Sequence, residues 1–231
     1  MTINNTEHKD ILVYVLGRYY QAWDKVLITN VGLYSLTQIS ESEVIFKCVA
    51  NDIKRAGYRL TDFLFIDGCA GMGFDTFVMS YYTDVLANEL TPLHLKCIKQ
   101  NLKVLTRQAK ENCFKFFLHD IRLMSFDVTR LDSLAAEIEQ YDNKRKIMLY
   151  LDPPFGGKDY SNADNIRLTI GEMSLLEFVQ KAFSLLANLQ LIVLKLPFNY
   201  DLTEFTEKYQ SVKIISLAKL TIMFIWSQSI K

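Results

Sequence analysis

Three apolar stretches of the sequence each end at an acidic residue or are followed by one. Each stretch has the length and composition of a buried strand. Because the carboxyl ends of parallel strands meet at one edge of a sheet, where open α/β folds bind ligands, we expect these carboxylates to surround one ligand site. The predicted strands and their acids are Phe63–Asp67 with Asp67, Asp84–Asn88 with Glu89, and Phe114–His119 with Asp120.

A glycine-containing loop follows the first of these acids. The sequence after Asp67 is Gly-Cys-Ala-Gly-Met-Gly, and Gly71 and Gly73 allow a tight turn and a close approach of the backbone to a ligand. The third glycine of a dinucleotide-binding fingerprint is replaced by Thr76, so a pyrophosphate is a poor fit. A carboxylate at this place can pair instead with the ammonium group of an amino-acid-like ligand, which points to S-adenosylmethionine.

The other two acids complete the predicted cofactor site. Glu89 lies 22 positions after Asp67, the spacing of a strand–helix–strand unit whose second strand ends in a ribose-binding carboxylate. Asp120 is predicted to accept a hydrogen bond from the exocyclic amine of adenine. The full set of predicted cofactor-binding residues is Asp67, Cys69, Ala70, Gly71, Gly73, Asp75, Thr76, Glu89, Asp120 and Asp152.

The most specific signal is Asp152-Pro153-Pro154-Phe155, which follows a fully apolar run, Ile147–Asp152. Consecutive prolines fix the backbone and remove two N–H donors, so the surrounding carbonyl groups remain available as acceptors. The Asp152 carboxylate and the Pro153 carbonyl can then hold both protons of an exocyclic amine while Phe155 stacks on the base. This arrangement directs the nitrogen lone pair at a sulfonium methyl group, so we predict catalytic roles for Asp152, Pro153 and Phe155.

A sheet is needed to position these residues. From Thr61 onward, short apolar runs alternate with longer amphipathic segments, which is typical of a mostly parallel sheet flanked by helices. A further strand is expected over Leu189–Lys195, and the runs Val212–Ala218 and Leu220–Trp226 predict an antiparallel hairpin. We therefore predict an α/β, Rossmann-like fold with a seven-stranded, mostly parallel sheet that ends in a C-terminal antiparallel hairpin.

The first 60 residues differ from this core. Helices are predicted over Ile11–Trp23 and Ser40–Arg55, separated by a turn. We predict that residues 1–60 form a small helical N-terminal appendage, which packs on the sheet and contributes to the substrate pocket. Residues 61–231 then form the methyltransferase core.

Composition excludes several other classes of protein. The chain has 26 basic and 26 acidic residues, so its net charge does not gather polyanions over the whole surface. The four cysteines form no C-x-x-C pair, which argues against a zinc cluster. The N-terminus lacks the features of a signal peptide, and every apolar run is too short to span a bilayer. We expect an intracellular protein with no metal and no membrane contact.

One helix carries a basic stripe. Five basic residues recur at intervals of three and four after Pro92. Such a stripe is usually a solvated helix face, and RNA contact is the alternative interpretation. The residues of the stripe are Lys96, Lys99, Lys103, Arg107 and Lys110.

Three segments resemble one family. Residues 153–160, Pro-Pro-Phe-Gly-Gly-Lys-Asp-Tyr, are similar to the Pro-Pro-Trp-Gly-Gly-Pro-Asp-Tyr of the trimethylguanosine synthase family. That family comprises RNA cap guanine-N2 methyltransferases and belongs to the class I S-adenosylmethionine-dependent methyltransferases. Residues 32–38 resemble its Trp-Phe-Ser-Val-Thr-Pro-Glu segment, and residues 194–199 resemble its Leu-Pro-Arg/Lys-Asn turn. Phe155 stands where the family has Trp, and Phe198 where it has a basic residue.

The resemblance implies a function. It implies methyl transfer from S-adenosylmethionine to N2 of the 7-methylguanosine cap of RNA, yielding di- or trimethylguanosine. A protein partner that selects the RNA is a further hypothesis. The resemblance also implies contacts with the substrate by Pro154, Phe155, Lys158, Tyr160, Lys195, Asn199, Tyr34 and Thr37.

Two alternatives stay open. A guanine-N2 or adenine-N6 methyltransferase that acts on internal RNA or DNA bases would use the same Asp-Pro-Pro-aromatic motif, but it must first expose a stacked base. A cap-binding or scaffold protein without catalytic activity would keep the fold and fail to bind S-adenosylmethionine.

Overall fold

A computed structural model describes residues 5–112, 118–155 and 164–229, without the side chains of Tyr34 and Ser229. The chain forms two compact units, Met1–Ser125 and Phe126–Lys231. Seven strands make up a mostly parallel sheet with a C-terminal antiparallel pair, which confirms the predicted fold class. In the part of the chain that is described, no helix is both long and apolar enough to cross a membrane.

The first unit contains three strands and four α-helices. Its strands pair in parallel in the order β3-β2-β1, with Phe65 opposite Val85 and Val85 opposite Ile121. Strand β1 is buried along its whole length, as expected of a parallel strand covered on both faces. The elements are α1 Lys9–Leu16, α2 Ile39–Arg55, β1 Phe63–Asp67, α3 Phe74–Met79, β2 Val85–Asn88, α4 Pro92–Glu111 and β3 Ile121–Met124.

The N-terminal segment departs from its prediction at one helix. The helix predicted over Ile11–Trp23 is divided, because α1 ends at Leu16 and a 3-10 helix continues over Gly17–Ala22. Gly17 has φ = 53°, a left-handed conformation that glycine adopts readily and that ends an α-helix. The second predicted helix is α2. The division into residues 1–60 and 61–231 stays a prediction, since α1 and α2 lie in the same compact unit as β1, β2 and β3.

Most of the third predicted strand lies outside the described residues. Of Phe114–His119, only the last two residues lie within the described part of the chain, and neither is in a strand. The strand that pairs with β2 is Ile121–Met124, so Asp120 precedes it instead of following it. The aromatic run before Asp120 has high strand propensity, which is why the strand was predicted there, whereas the described partner of β2 is Ile121–Met124.

The second unit holds the remaining strands of the sheet. Strand β7 pairs in parallel with β4 and antiparallel with β9, and β8 and β9 form the predicted hairpin. A short antiparallel pair, β5 with β6, was not predicted. The elements are α5 Leu131–Tyr141, β4 Lys146–Leu151, β5 Thr169–Ile170, β6 Met173–Ser174, α6 Leu175–Leu185, β7 Leu189–Pro197, α7 Thr203–Lys208, β8 Lys213–Ser216 and β9 Leu220–Trp226.

A buried asparagine fastens three segments of the first unit to one another. Asn101, on α4, is fully buried. Its Oδ1 accepts a hydrogen bond from the Leu27 N–H (2.6 Å), and its Nδ2 donates to the carbonyls of Leu27 (3.0 Å) and Met72 (2.9 Å). One side chain therefore connects the N-terminal segment, the loop after β1 and α4.

We predict that Asn101→Leu lowers the free energy of unfolding by about 3 kcal/mol, because three backbone groups, one in a buried bond and two in part-buried bonds, lose their partner. Urea denaturation followed by circular dichroism measures the change. Gln100→Leu is the matched control on the same helix. Its side-chain hydrogen bond to the Lys25 carbonyl (3.2 Å) is exposed, so we expect a loss below about 0.5 kcal/mol. Equal losses for the two variants would contradict the role of Asn101.

Candidate functional site

The loop after β1 has the shape that a closely bound ligand requires. Gly71 and Gly73 have φ = 53° and φ = 84°, so both favour glycine. A Cβ at Gly73 would lie 3.2 Å from Cγ2 of Ile98, which packs the loop tightly on α4. At Gly71 the nearest described atom to such a Cβ is the Cys69 carbonyl oxygen, at 4.0 Å. Among the described residues the loop is thus anchored at Gly73 and open at Gly71, an arrangement compatible with the predicted cofactor site.

The carboxylate of Asp67 orders this loop by accepting hydrogen bonds from it and from α3. Asp67 is 1% exposed, and its Oδ2 accepts a hydrogen bond from Thr76 Oγ1 (2.6 Å). The backbone N–H of Cys69 donates to Oδ1 (3.4 Å). Asp67 and Thr76, both predicted to bind the cofactor, therefore hold the loop to the start of α3.

The loop is also bonded to the end of β2. The Ala70 N–H donates to the Asn88 carbonyl (2.9 Å), and the Gly73 N–H donates to the Ala70 carbonyl (2.8 Å). Asn88 Nδ2 donates to the Gly68 carbonyl (3.4 Å). These bonds close the turn and place it beside the carboxyl end of β2.

Glu89, directly after β2, faces the same loop. Its Oε2 accepts from the Gly71 N–H (2.9 Å), and its Oε1 accepts from the Thr91 N–H at the start of α4 (2.7 Å). His94 Nδ1 lies 3.6 Å from Oε1, and His94 Nε2 is within hydrogen-bonding distance of Thr29 Oγ1 (3.1 Å). The predicted ribose-binding carboxylate is therefore held in one orientation next to Gly71, which fits a ligand with hydroxyl donors.

Two predicted residues from different segments are bonded to each other. Asp75, in the first turn of α3, accepts from Thr37 Oγ1 (3.3 Å) and from Ser42 Oγ. Thr37 and Ser42 belong to the N-terminal segment, which also approaches the loop at Gly32: a Cβ there would lie 2.9 Å from Met72 Sδ. The segment before the core thus packs on the cofactor loop. The side chain of Tyr34 lies outside the described part of the structure.

Asp120 does not join this group. It lies at the amino end of β2, where its N–H donates to Asp84 Oδ1 (3.1 Å) and its carbonyl accepts from the Val85 N–H (2.8 Å). Four residues of strand separate this end of β2 from Glu89, a distance of about 13 Å. The structure therefore places Asp120 at the end of β2 opposite to Glu89 and does not bring it to the loop after β1.

Asp127 is the acid that follows β3. It comes three residues after Met124, and its Oδ1 accepts from the N–H (3.0 Å) and Oγ1 (2.8 Å) of Thr129. The signal in the sequence was the one used for Asp67 and Glu89, an apolar run followed by an acid. Asp127 was not predicted, because the strand was predicted over the aromatic run that precedes Asp120.

In the second unit, Asp152 follows β4 directly and forms a partly buried ion pair. Lys195 Nζ, on β7, donates to Asp152 Oδ2 at 2.6 Å, and the two side chains are 5% and 19% exposed respectively. Leu151 and Leu194 are opposite in the parallel register, so Asp152 and Lys195 are the next pair along the strands. Lys195 was predicted to contact the substrate, and the structure assigns its charge to Asp152.

The residues after Asp152 alternate in exposure. Pro153 is buried, Pro154 is exposed and Phe155 is half-buried. Asn199, after β7, is half-buried, and its carbonyl accepts from the Ile166 N–H (3.0 Å). Lys158 and Tyr160 lie outside the described residues. In the described part of the chain, no cluster of His, Cys, Asp and Glu could hold a metal ion.

We predict that Lys195→Met lowers the free energy of unfolding by about 3 kcal/mol, because it leaves the Asp152 carboxylate without its buried counter-charge. Adding Asp152→Asn to this variant should restore part of the loss. Urea denaturation of the two single variants and the double variant measures the coupling. Lys181→Met is the control, since it breaks an exposed pair with Glu177 and should cost about 0.5 kcal/mol or less. Equal losses for Lys195→Met and Lys181→Met would contradict the importance of the buried pair.

Comparison with known proteins identifies a family whose model matches this chain. A family model described as RNA cap guanine-N2 methyltransferase matches residues 63–229. An uncharacterised protein of Acanthamoeba polyphaga mimivirus is 23% identical over 220 residues, which cover 87% of this chain and 79% of that protein.

Two solved structures share the fold. The rRNA methyltransferase aviRa from Streptomyces viridochromogenes superimposes with a TM-score of 0.50 and 10% identity, covering 72% of this chain and 77% of that one. A proposed methyltransferase from Porphyromonas gingivalis gives a TM-score of 0.57 and 12% identity, covering 97% of this chain and 51% of that one. At such identities the likeness concerns the fold.

The family match spans most of the chain, from the first residue of β1 to the end of the described structure. It contains the glycine loop, Glu89 and the Asp152–Lys195 pair. The chain therefore belongs to the RNA cap guanine-N2 methyltransferase family and is an S-adenosylmethionine-dependent RNA methyltransferase.

Proposed function

We propose that this protein transfers a methyl group to the exocyclic N2 of the 7-methylguanosine cap of RNA. The observation that carries the proposal is the motif Asp152-Pro153-Pro154-Phe155 directly after β4, with the Asp152 carboxylate fixed by Lys195. The family match supports guanine N2 as the acceptor.

The residues of the first unit would hold the cofactor. Glu89, beside Gly71, would accept from the ribose hydroxyls, and the open backbone at Gly71 would lie against the methionine moiety. Asp67 and Thr76 act as positioning residues that shape the loop. S-adenosylmethionine supplies an electrophilic methyl group on a sulfonium ion.

The residues of the second unit would orient the amine. The Asp152 carboxylate and the Pro153 carbonyl are the acceptors for its two N–H groups. These acceptors would direct the nitrogen lone pair at the methyl group that bound S-adenosylmethionine would supply, and the proton lost from the amine would pass to water. Because Lys195 already neutralises Asp152, this carboxylate is better suited to orienting the amine than to removing its proton.

Phe155 would stack on the guanine ring. Methylation at N7 makes the ring cationic, and a phenyl ring attracts a cation less strongly than the indole of Trp. We therefore expect a preference for 7-methylguanine over guanine that is weaker than a Trp at this position would give.

The test of the proposed function is methyl transfer from labelled S-adenosylmethionine to four acceptors in parallel. The acceptors are a 7-methylguanosine cap dinucleotide, GTP, an uncapped RNA hairpin and single-stranded DNA. We expect labelling of the cap dinucleotide, lost in Asp152→Ala. Labelling of the hairpin or the DNA alone would instead assign the protein to internal bases.

We predict that Phe155→Ala lowers kcat/KM for the cap dinucleotide by about 10- to 100-fold, because stacking of a base on an aromatic ring is lost. Phe155→Trp should retain activity and increase the preference for the N7-methylated acceptor. Steady-state kinetics with both acceptors measures these effects. Tyr14→Ala, which removes an aromatic ring that is 70% exposed on α1, is the control and should leave kcat/KM unchanged. An unchanged kcat/KM in Phe155→Ala would exclude stacking at this residue.

A further inference from the structure

Helix α4 presents a continuous basic face to solvent. We call the five residues Lys96, Lys99, Lys103, Arg107 and Lys110 the α4 basic stripe, and all five are exposed. At 100° per residue they fall within an arc of about 80° on the helix surface. The buried residues of α4 lie on the opposite side of the helix and include Cys97, Ile98, Asn101, Leu102, Leu105 and Ala109.

Folding does not account for the stripe. Arg107 pairs with Glu111 (2.6 Å), but within the described part of the chain no ion pair involves any of the four lysines. The helix dipole favours basic residues in the last turn, which applies to Lys110 but not to Lys96, Lys99 or Lys103. Four like charges along one arc repel one another, and they have no ion-pair partner among the described residues, so a polyanionic ligand would relieve this repulsion.

The charge is local. The whole chain has 26 basic and 26 acidic residues, whereas α4 carries five basic residues and one acidic residue, Glu111. A polyanion would therefore meet an attractive surface along this helix and no comparable attraction from the net charge of the chain.

The α4 basic stripe lies in the same unit as the proposed cofactor site, on the helix that begins next to Glu89. Helix α4 begins at Pro92, and the Thr91 N–H is bonded to Glu89 Oε1. From Lys96 to Lys110 the helix rises about 21 Å, which is the length of about six stacked nucleotides at 3.4 Å each. An RNA strand lying on the α4 basic stripe would run away from the carboxyl end of β2.

We propose that the α4 basic stripe binds the phosphate backbone of the RNA chain that follows the cap. This inference rests on the proposed function for the identity of the substrate, and it adds a second contact region that distinguishes a capped RNA from a free cap. The stripe contacts phosphates and not bases, so it raises affinity without selecting sequence.

The test compares binding and catalysis in two variants of the full chain. One is K96E/K99E/K103E, in the stripe. The other is K47E/K54E/K219E, which makes the same change of charge at three exposed lysines on α2 and in the β8–β9 turn. Fluorescence anisotropy with a labelled, uncapped 20-nucleotide RNA is measured from 50 to 300 mM salt. Kinetics are measured with the cap dinucleotide and with a capped 20-nucleotide RNA.

We expect the stripe variant to bind the RNA at least about tenfold more weakly, and the slope of log K against log salt to fall by about 2, as loss of three phosphate contacts requires. Its ratio of kcat/KM for capped RNA to kcat/KM for the dinucleotide should fall about tenfold as well. The control variant should match the wild type in both measurements.

Three results would overturn the proposal: unchanged salt slopes in the stripe variant, an equal loss in the control variant, or an equal loss of activity on the dinucleotide and the capped RNA. The first of these would be expected if the stripe bound an acidic protein. The wild type could methylate neither cap substrate while the salt slope of RNA binding still falls only in the stripe variant. In that case the proposed function is wrong and the proposed RNA-binding surface is supported.

Discussion

Carboxylates that are buried at the ends of strands lose their bonds to water, and hydrogen-bond donors of the protein must replace them. This constraint shapes both units of the chain. Asp67 and Glu89 are 1% and 8% exposed, and the side chain of Asp152 is 19% exposed. An unpaired carboxylate in such places costs several kcal/mol. The donors come from the loop after β1, the starts of α3 and α4, and Lys195 on β7. The hydrogen bonds donated to these carboxylates therefore fix the backbone that forms the candidate site.

Much of this arrangement could be predicted because strand ends carry a local signal. Strand β1 has the predicted bounds. Strand β2 begins one residue later than predicted, and β4 begins and ends one residue earlier than predicted. The third strand could not be placed, since strand propensity favours the aromatic run and only pairing with β2 selects Ile121–Met124. The contacts of Asn101 and Lys195 depend on segments far apart in sequence, which no local pattern encodes.

The same carboxylates define the chemistry that the site can perform. Held by donors, they act as oriented acceptors, and methyl transfer to an amine depends on alignment of the nitrogen lone pair with the C–S bond. A guanine amine needs two acceptors and a stacking surface, and Asp152, Pro153 and Phe155 supply these groups in our proposal. We propose that the remaining contact with RNA lies outside the motif, at the α4 basic stripe.

The most direct test of the central claim is to locate the added methyl group. Capped RNA with internal guanines and adenines is methylated by the wild-type protein, digested with nucleases and examined by mass spectrometry. We predict that the new methyl group is found in the cap nucleoside, as N2-methylated 7-methylguanosine, with unmodified internal nucleosides. A methyl group on internal guanine or adenine, with an unchanged cap, would contradict the account.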